Sequence, residues 1–463
     1  MALFDRSLLN DGVRPREVFA WSMYDFANSG YTTVVLTAVF NSYFVGVVAG
    51  GASWATLAWT AAVSVSALLV MFTTPAIGAW ADAHAAKKKL LMISTVGCVL
   101  GTVALAWAQP GGVWFAVFAV IVSNYFYSIG DALNGAFLPE LARPQALGRV
   151  SGWGWSFGYF GGMLTLACSL AYVLPAQAAG QKAFQFVPVT MLITAAIFAI
   201  AAIPTALFLK ERSKPTSSRS PALNTSSEIS GGAIGGSSSE SISGSSAGLR
   251  AGLKEALGRL RQTWRESRNY RDFSSLMLCA VFYQAGISVV IALAAIYAEE
   301  VMKFKTTDTM ALIFVVNIAS AIGAFAFGYW QDRLGHRRAL TITLYAWILM
   351  VLIAGFSQTA FTFWIAATIA GLCMGSSQSC GRAMVGVLAP ADRLGEFFGL
   401  WTFATRLSAV IGPITYGLVT WLSNNNHRLA ILSTGLFFMA GLIVLARIDM
   451  QRGEQAALAA KPA

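Results

Sequence analysis

The chain has 463 residues, of which 56% are hydrophobic before its 43 glycines are counted, while only 11% carry charge, against roughly 25% in a soluble globular domain. So little charge cannot clothe a water-facing surface, which excludes a soluble multidomain fold. The net charge of +11 would suit nucleic acid only if it lay on one face of a soluble fold, so nucleic-acid binding is set aside as well.

The first residues, MALFDRSLLNDGVRPRE, hold no apolar core followed by a small-residue cleavage site, which predicts that the first helix is its own anchor. About 20 apolar residues span a bilayer as a helix. Stretches without Asp, Glu, Lys or Arg cover 26–81 and 90–130, each long enough for two spans around breaks at 46–53 and 109–112, and single-span stretches follow at 150–181 and 183–209. Residues 216–248 are rich in Ser and Gly and predict a flexible linker. In 249–268, Leu249, Leu253, Leu257, Leu260 and Trp264 recur at helical spacing among arginines and Lys254, as in an amphipathic helix on an anionic leaflet or in a plain basic connector. Spans resume at 273–298, 309–331, 339–381 (two, around 357–360), 407–427 and 429–446. The sequence therefore predicts an all-α integral membrane protein of twelve spans. Helices are expected over barrel strands because the stretches are uniformly apolar and 18 or more residues long, whereas barrel strands run to about 10 and alternate.

The expected organisation is a six-helix bundle over 1–210, a connector over 211–271 and a second six-helix bundle with a short tail over 272–463. Cys98, Cys168, Cys279, Cys373 and Cys380 fall inside predicted spans without CxxC spacing, so neither a metal site nor a disulfide framework is indicated. With both termini in the cytoplasm, 26 of the 32 Lys and Arg collect on the cytoplasmic side, as the positive-inside rule requires. That predicts a multi-pass plasma (inner) membrane protein with cytoplasmic termini.

The two halves repeat one another. GAWADAHAAKKK, Gly78 to Lys89, stands between the second and third spans, and GYWQDRLGHRR, Gly328 to Arg338, between the eighth and ninth, displaced by 250. Gly148 and Gly152 are echoed by Gly395 and Gly399. Matching cytoplasmic signatures after six helices imply parallel repeats about an axis along the membrane normal, a transporter trait.

This pattern resembles the major facilitator superfamily. The second junction matches its loop motif fully; the first has Ala83 and Ala85 where the family carries Arg and Gly, which predicts a weaker loop latch. WSMYDFANS from Trp21, NGAFLPELA from Asn134 and GRVSGWGWSFGYFGG from Gly148 resemble the vacuole-effluxer-like branch, whose eukaryotic relatives are implicated in releasing amino acids from the vacuole.

The resemblance implies that helices one, four, seven and ten line a central cavity, where the sequence places Asp25 and Asn28, Asp131 and Asn134, Tyr283 and Gln284, and Gln378 and Arg382. An ionised side chain at a helix centre costs at least about 2.5 kcal/mol on insertion scales, so such residues pair, face water or titrate. Asp25 and Asp131 read either as carboxylates that take a proton or a substrate amine, or as a structural pair with Arg382. Arg406 in helix eleven offers a fork for a substrate carboxylate or for a partner Asp. Such an Arg beside such an Asp would suit a zwitterion.

At the junctions, Asp82, Lys87, Lys88, Asp332, Arg333, Arg337 and Arg338 form a candidate cytoplasmic gate. By resemblance, Asp82 would meet the start of helix eleven near Arg393 and Glu396, and Asp332 the start of helix five near Arg149, only while that side is closed. The alternative is positive-inside decoration. Gly154, Gly158 and Gly162 recur every four residues in helix five, and Gly412, Pro413 and Gly417 mark helix eleven; such small stripes predict close packing against the opposite half. Helix five lacks the proline of the antiporter signature.

No phosphate-cradling GxxxxGK[ST] loop is present, and His84, His336 and His427 sit at helix ends, so neither an ATP-driven pump nor an enzyme is indicated. The reading is a monomeric, proton-coupled secondary transporter of a small polar solute, an amino acid in its narrower form, without cofactor or metal. The rival is a receptor or scaffold that kept the fold and lost transport.

Overall fold

A computed structural model describes residues 5–213, 270–304, 306–424 and 426–459. The predicted linker 216–248 and amphipathic helix 249–268 lie outside the described residues. Twelve described helices are long and apolar enough to cross a membrane, the form in which a spanning chain can meet its own backbone hydrogen bonds in hydrocarbon. They are α1 (Pro15–Val48), α2 (Ala55–His84), α3 (Lys87–Leu105), α4 (Val113–Ala136), α5 (Leu147–Ala178), α6 (Ala183–Phe208), α7 (Arg271–Glu300), α8 (Thr306–Leu334), α9 (His336–Phe356), α10 (Ala360–Leu388), α11 (Leu394–Leu422) and α12 (His427–Leu445). A short α13 (Met450–Ala459) follows. Leu57, Phe72, Trp114, Phe361 and Trp421 stand exposed, an arrangement suited to lipid rather than water. α1 is regular over Pro15–Tyr31 and wound in π turns over Thr32–Ala38 and Phe44–Val48.

The repeat seen in the sequence is also a repeat of packing. α1 packs on α5 and α6, α2 on α4, and α3 on α4 and α6; in the second half α7 packs on α11 and α12, α8 on α10, and α9 on α10 and α12. The halves meet along α2 with α11 and along α5 with α8. Both described chain ends lie on one face with the turns after α2, α4, α8 and α10, called here the termini face. There Leu9 pairs with Ala142 in an isolated β-bridge, Arg143 Nε donates to the Leu9 carbonyl (2.9 Å), and Leu9 and Val13 are buried. Glu17 at the start of α1 holds Arg212 after α6 (2.9 Å), and Asp272 at the start of α7 holds Arg452 of α13 (2.6 Å), so the same clasp ties the last helix to the first in each half.

The glycine stripes pack differently from the expectation. A side chain at Gly154 would meet Asp25 and Trp21, one at Gly158 the Ser29 hydroxyl at 2.8 Å, and one at Gly162 the Thr33 hydroxyl at 2.7 Å, so this face of α5 is pressed onto α1 of its own half. In the second half Gly412 is pressed onto Ala285 of α7, one residue before Pro413 in α11. Contact with the opposite half is made by Gly148 and Gly152 of α5, against Gln331, Asp332, Ala324 and Gly328. The reason is rotation: at about 100° per residue, Gly154 lies roughly 120° around the helix from Gly148.

Candidate functional site

In the middle of the bundle α1, α4, α5 and α10 bring one buried ion pair together. Arg382 donates to both carboxylate oxygens of Asp25 (2.5 and 3.1 Å), joining α10 to α1 across the halves. Its guanidinium lies over the rings of Trp21 (5.4 Å) and Trp155 (4.8 Å). Asn134 Nδ2 donates to Asp25 Oδ1 (3.0 Å), and Trp21 Nε1 donates to the Asn134 carbonyl (2.8 Å). Asp25 is 4% and Arg382 6% exposed; a bidentate, further hydrogen-bonded geometry is what such burial requires. Of the two readings of Asp25, the pair with Arg382 is the one the geometry contains.

Asp131 has no such partner. Its hydrogen bond comes from Asn28 Nδ2 at 3.5 Å, and no cation pairs with it among the described residues. Arg406, whose fork suits a substrate carboxylate or a partner Asp, meets no carboxylate among the described residues: its Nη2 donates to Ser128 Oγ (2.9 Å), one turn before Asp131, and its buried Nε has no partner there. Arg382, Asp25 and Arg406 are the charges that bear on Asp131. The site thus holds a cation and a carboxylate that act on one another without being joined, with the Asn28 Oδ1 also buried and unpartnered. Such polar atoms call for water or solute.

In α7 and α10, Gln284 and Gln378 exchange hydrogen bonds (3.1 and 3.4 Å). Tyr283, expected at the cavity, is fully buried in the core of the second half with Cys279 and Phe438. Gln284, about 100° further around the helix, is the one of the two that hydrogen-bonds across to α10.

At the termini face Asp82 accepts from the backbone N–H groups of Gly395 (3.0 Å) and Glu396 (2.9 Å) at the start of α11. Asp332 accepts from those of Gly148 (2.9 Å) and Arg149 (3.1 Å) at the start of α5, and from Arg149 Nε (2.9 Å). Glu396 itself pairs with Arg393 (2.8 Å). Carboxylates at helix N-termini are favoured by the free N–H groups and the dipole. Despite Ala83, the first junction is well furnished: the fully buried Lys87 pairs with Glu140 and stands 3.8 Å from Asp82, and Glu211 accepts from the Lys87 and Lys88 N–H groups (2.8 and 3.0 Å). Among the described residues the second junction has no equivalent network. Arg337 donates to the Ala446 carbonyl (2.9 Å), while Arg333 and Arg338 are exposed and pair with no carboxylate among the described residues. Between the latches, Ser151 Oγ donates to the Ser379 carbonyl (3.0 Å) and Ser156 Oγ to that of Ala321 (2.9 Å). These hydrogen bonds between the halves all lie in the centre or toward the termini face.

Trp155, Ser128, Glu140 and Glu211 were missed in the sequence. Trp155 and Glu140 stood inside quoted motifs, and the start-of-helix acids Glu17 and Asp272 repeat at an offset of 255, a signal that the glycine and junction echoes overshadowed.

Residues 41–458 match the family model described as vacuole effluxer Atg22 like. The MFS-type transporter YxiO of Bacillus subtilis is 24% identical over 92% of this chain and 93% of its own. Autophagy-related protein 22 of Kluyveromyces lactis is 20% identical over 80% of this chain and 74% of its own. Among solved structures, the human organic anion transporter MFSD10 superposes with a TM-score of 0.68 at 14% identity, covering 93% of this chain and 99% of its own. The proton:xylose symporter XylE superposes with 0.65 at 16% identity, covering 94% and 95%. These likenesses, the matched repeat and the twelve spans have one reading: the chain belongs to the vacuole effluxer Atg22-like family and is a multi-pass membrane protein of the major facilitator type, a transporter.

Proposed function

We propose that this transporter carries a small zwitterion, an amino acid, by alternating access coupled to protons, in the plasma (inner) membrane with both termini cytoplasmic. The observation that carries the reading is the unjoined pair Arg406 and Asp131. An α-amino acid would place its carboxylate on the free side of the Arg406 guanidinium and its ammonium between Asp131 and the Asn28 Oδ1, completing both sets of hydrogen bonds. With no substrate, Asp131 is the carboxylate able to take up a proton, because Asp25 is committed to Arg382. The latches Asp82 and Asp332 support a form closed toward the cytoplasm, with Gly395 and Gly148 as their seats on the opposite half.

Uptake of radiolabelled amino acids by proteoliposomes, with and without a pH gradient, tests the reading. Arg406→Gln is expected to lower apparent affinity at least tenfold, the worth of a charged hydrogen bond of about 1.5–3 kcal/mol. Asp131→Asn is expected to abolish the response to the gradient. Wild-type accumulation of no amino acid would favour the scaffold reading; undiminished pH dependence in Asp131→Asn would remove proton coupling from this residue.

A further inference from the structure

The two junctions repeat one another at an offset of 250, and they differ in the residue just ahead of the latch carboxylate. Asp82 follows Ala81 and Asp332 follows Gln331, and both of these neighbours are fully buried. Ala81 lies in the apolar core of its own half with Leu91, Leu133 and Leu141. Gln331 brings a side-chain amide to the corresponding place, and neither its Nε2 nor its Oε1 has a hydrogen-bond partner among the described residues.

The opposite half is what presses on that amide. A methyl group at Gly148, at the start of α5, would stand 2.3 Å from both Cγ and Nε2 of Gln331 and 2.5 Å from Asp332 Oδ1. The Gly148 backbone is already engaged: its N–H donates to Asp332 (2.9 Å) and its carbonyl accepts from Ser379 Oγ (3.4 Å). At the other latch, the nearest atoms to a methyl group at Gly395 are the Gly78 carbonyl oxygen (2.8 Å) and the Asp82 carboxylate (3.0 and 3.1 Å). A buried amide without a partner is costly, and a water trapped against it is itself immobilised. Parting α5 from α8 takes Gly148 away, so the cost falls on the shut form.

We propose that Gln331 is a release element built into the second latch. The bonds from Gly148 and Arg149 to Asp332 hold α5 to α8, and the neighbouring amide, hydrated only when the helices part, works against them. The two forms then stand closer in free energy than the latch bonds alone would leave them, which is what a carrier that must visit both requires. The inference rests on Asp332 acting as a latch and holds for any solute.

Gln331→Met keeps the length of the side chain and removes the amide, and Gln331→Ala copies the sister half. In the full-length protein Gln331→Met is expected to raise the melting temperature, whereas loss of a glutamine that served only packing would lower it. Spin labels at the exposed Gln145 and Leu334, on either side of the α5–α8 seam, read the equilibrium in nanodiscs. Asp82→Asn with Asp332→Asn weakens both latches and is expected to add a longer distance. Gln331→Met in that background is expected to lower the ratio of longer to shorter distances about tenfold, the equivalent of one unsatisfied buried group, and Gln331→Ala to lower it as well. The proposal is overturned if both substitutions lower the melting temperature, or if the longer population is undiminished in both. Distances that never lengthen in Asp82→Asn with Asp332→Asn would remove the latch and the release element with it; lengthening that neither Gln331 substitution reduces removes the release element alone.

Discussion

At the scale of single residues, the pair Asp25 and Arg382 sets the terms for everything around it. A buried ion pair is close to neutral in stability, but removing one partner leaves an uncompensated charge that costs about 3–5 kcal/mol. Asp25→Asn and Arg382→Gln are each expected to destabilise by that order, and the double variant by less than either single one. Unfolding curves for all four proteins give the coupling; losses that simply add would show that the two side chains do not act as a pair. That Asp25 and Arg382 needed an explanation was legible in the sequence, since each is an ionisable group in an apolar span. Which groups pair was not, because the partners are 357 residues apart and Asp131, one spacing down the same cavity, had an equal claim. What decided it was packing: Asn134 donates to the Asp25 carboxylate, while Trp21 and Trp155 hold the Arg382 guanidinium beside it.

At the scale of elements, α5 shows how one helix serves two masters. One glycine face holds it against α1, and another, with Gly148 and Gly152, holds it against α8. A methyl group at Gly158 would stand 2.8 Å from Ser29 Oγ and 3.3 Å from the Asp25 carbonyl, whereas one at Gly417 of α11 has open space. Gly158→Ala is therefore expected to cost about 1–3 kcal/mol by overpacking, and Gly417→Ala to be neutral or stabilising by up to about 1 kcal/mol through helix propensity. Equal thermal shifts for the two would sink the distinction. The stripe was legible as a packing signal; its partner was not, because spacing along a helix fixes which residues share a face and leaves open what that face meets.

At the scale of the whole molecule, the twelve spans, the two-fold repeat and the family were legible from charge-free lengths and a motif repeated at an offset of 250. The internal difference between the junctions was not, since it depends on Glu140 and Glu211, which come to Lys87 from other parts of the chain. The two latches should add in holding the halves together. Spin labels at the exposed Lys89 and Ala391, on opposite halves of the termini face, are expected to give a single short distance in the wild type and an added longer one in Asp82→Asn. The longer population should grow in Asp82→Asn combined with Asp332→Asn. Lost hydrogen bonds of about 1–3 kcal/mol each make the shift large enough to see by electron resonance, and unchanged distances in the double variant would remove the carboxylates from gating.

The π turns of α1 give the opposite face a different character. Its first half, Pro15–Tyr31, is a regular rod anchored through Asp25, and its second half is wound wider, over Thr32–Ala38 and Phe44–Val48. Wide turns interrupt the regular ladder and are where helices bend. The termini face is thus fastened by discrete clasps, while the far end of the same helix carries the wide turns at which helices bend. Under the alternating access proposed above, the clasps would open in a step and the wide turns would give by bending, so a solute would meet two gates of different kind.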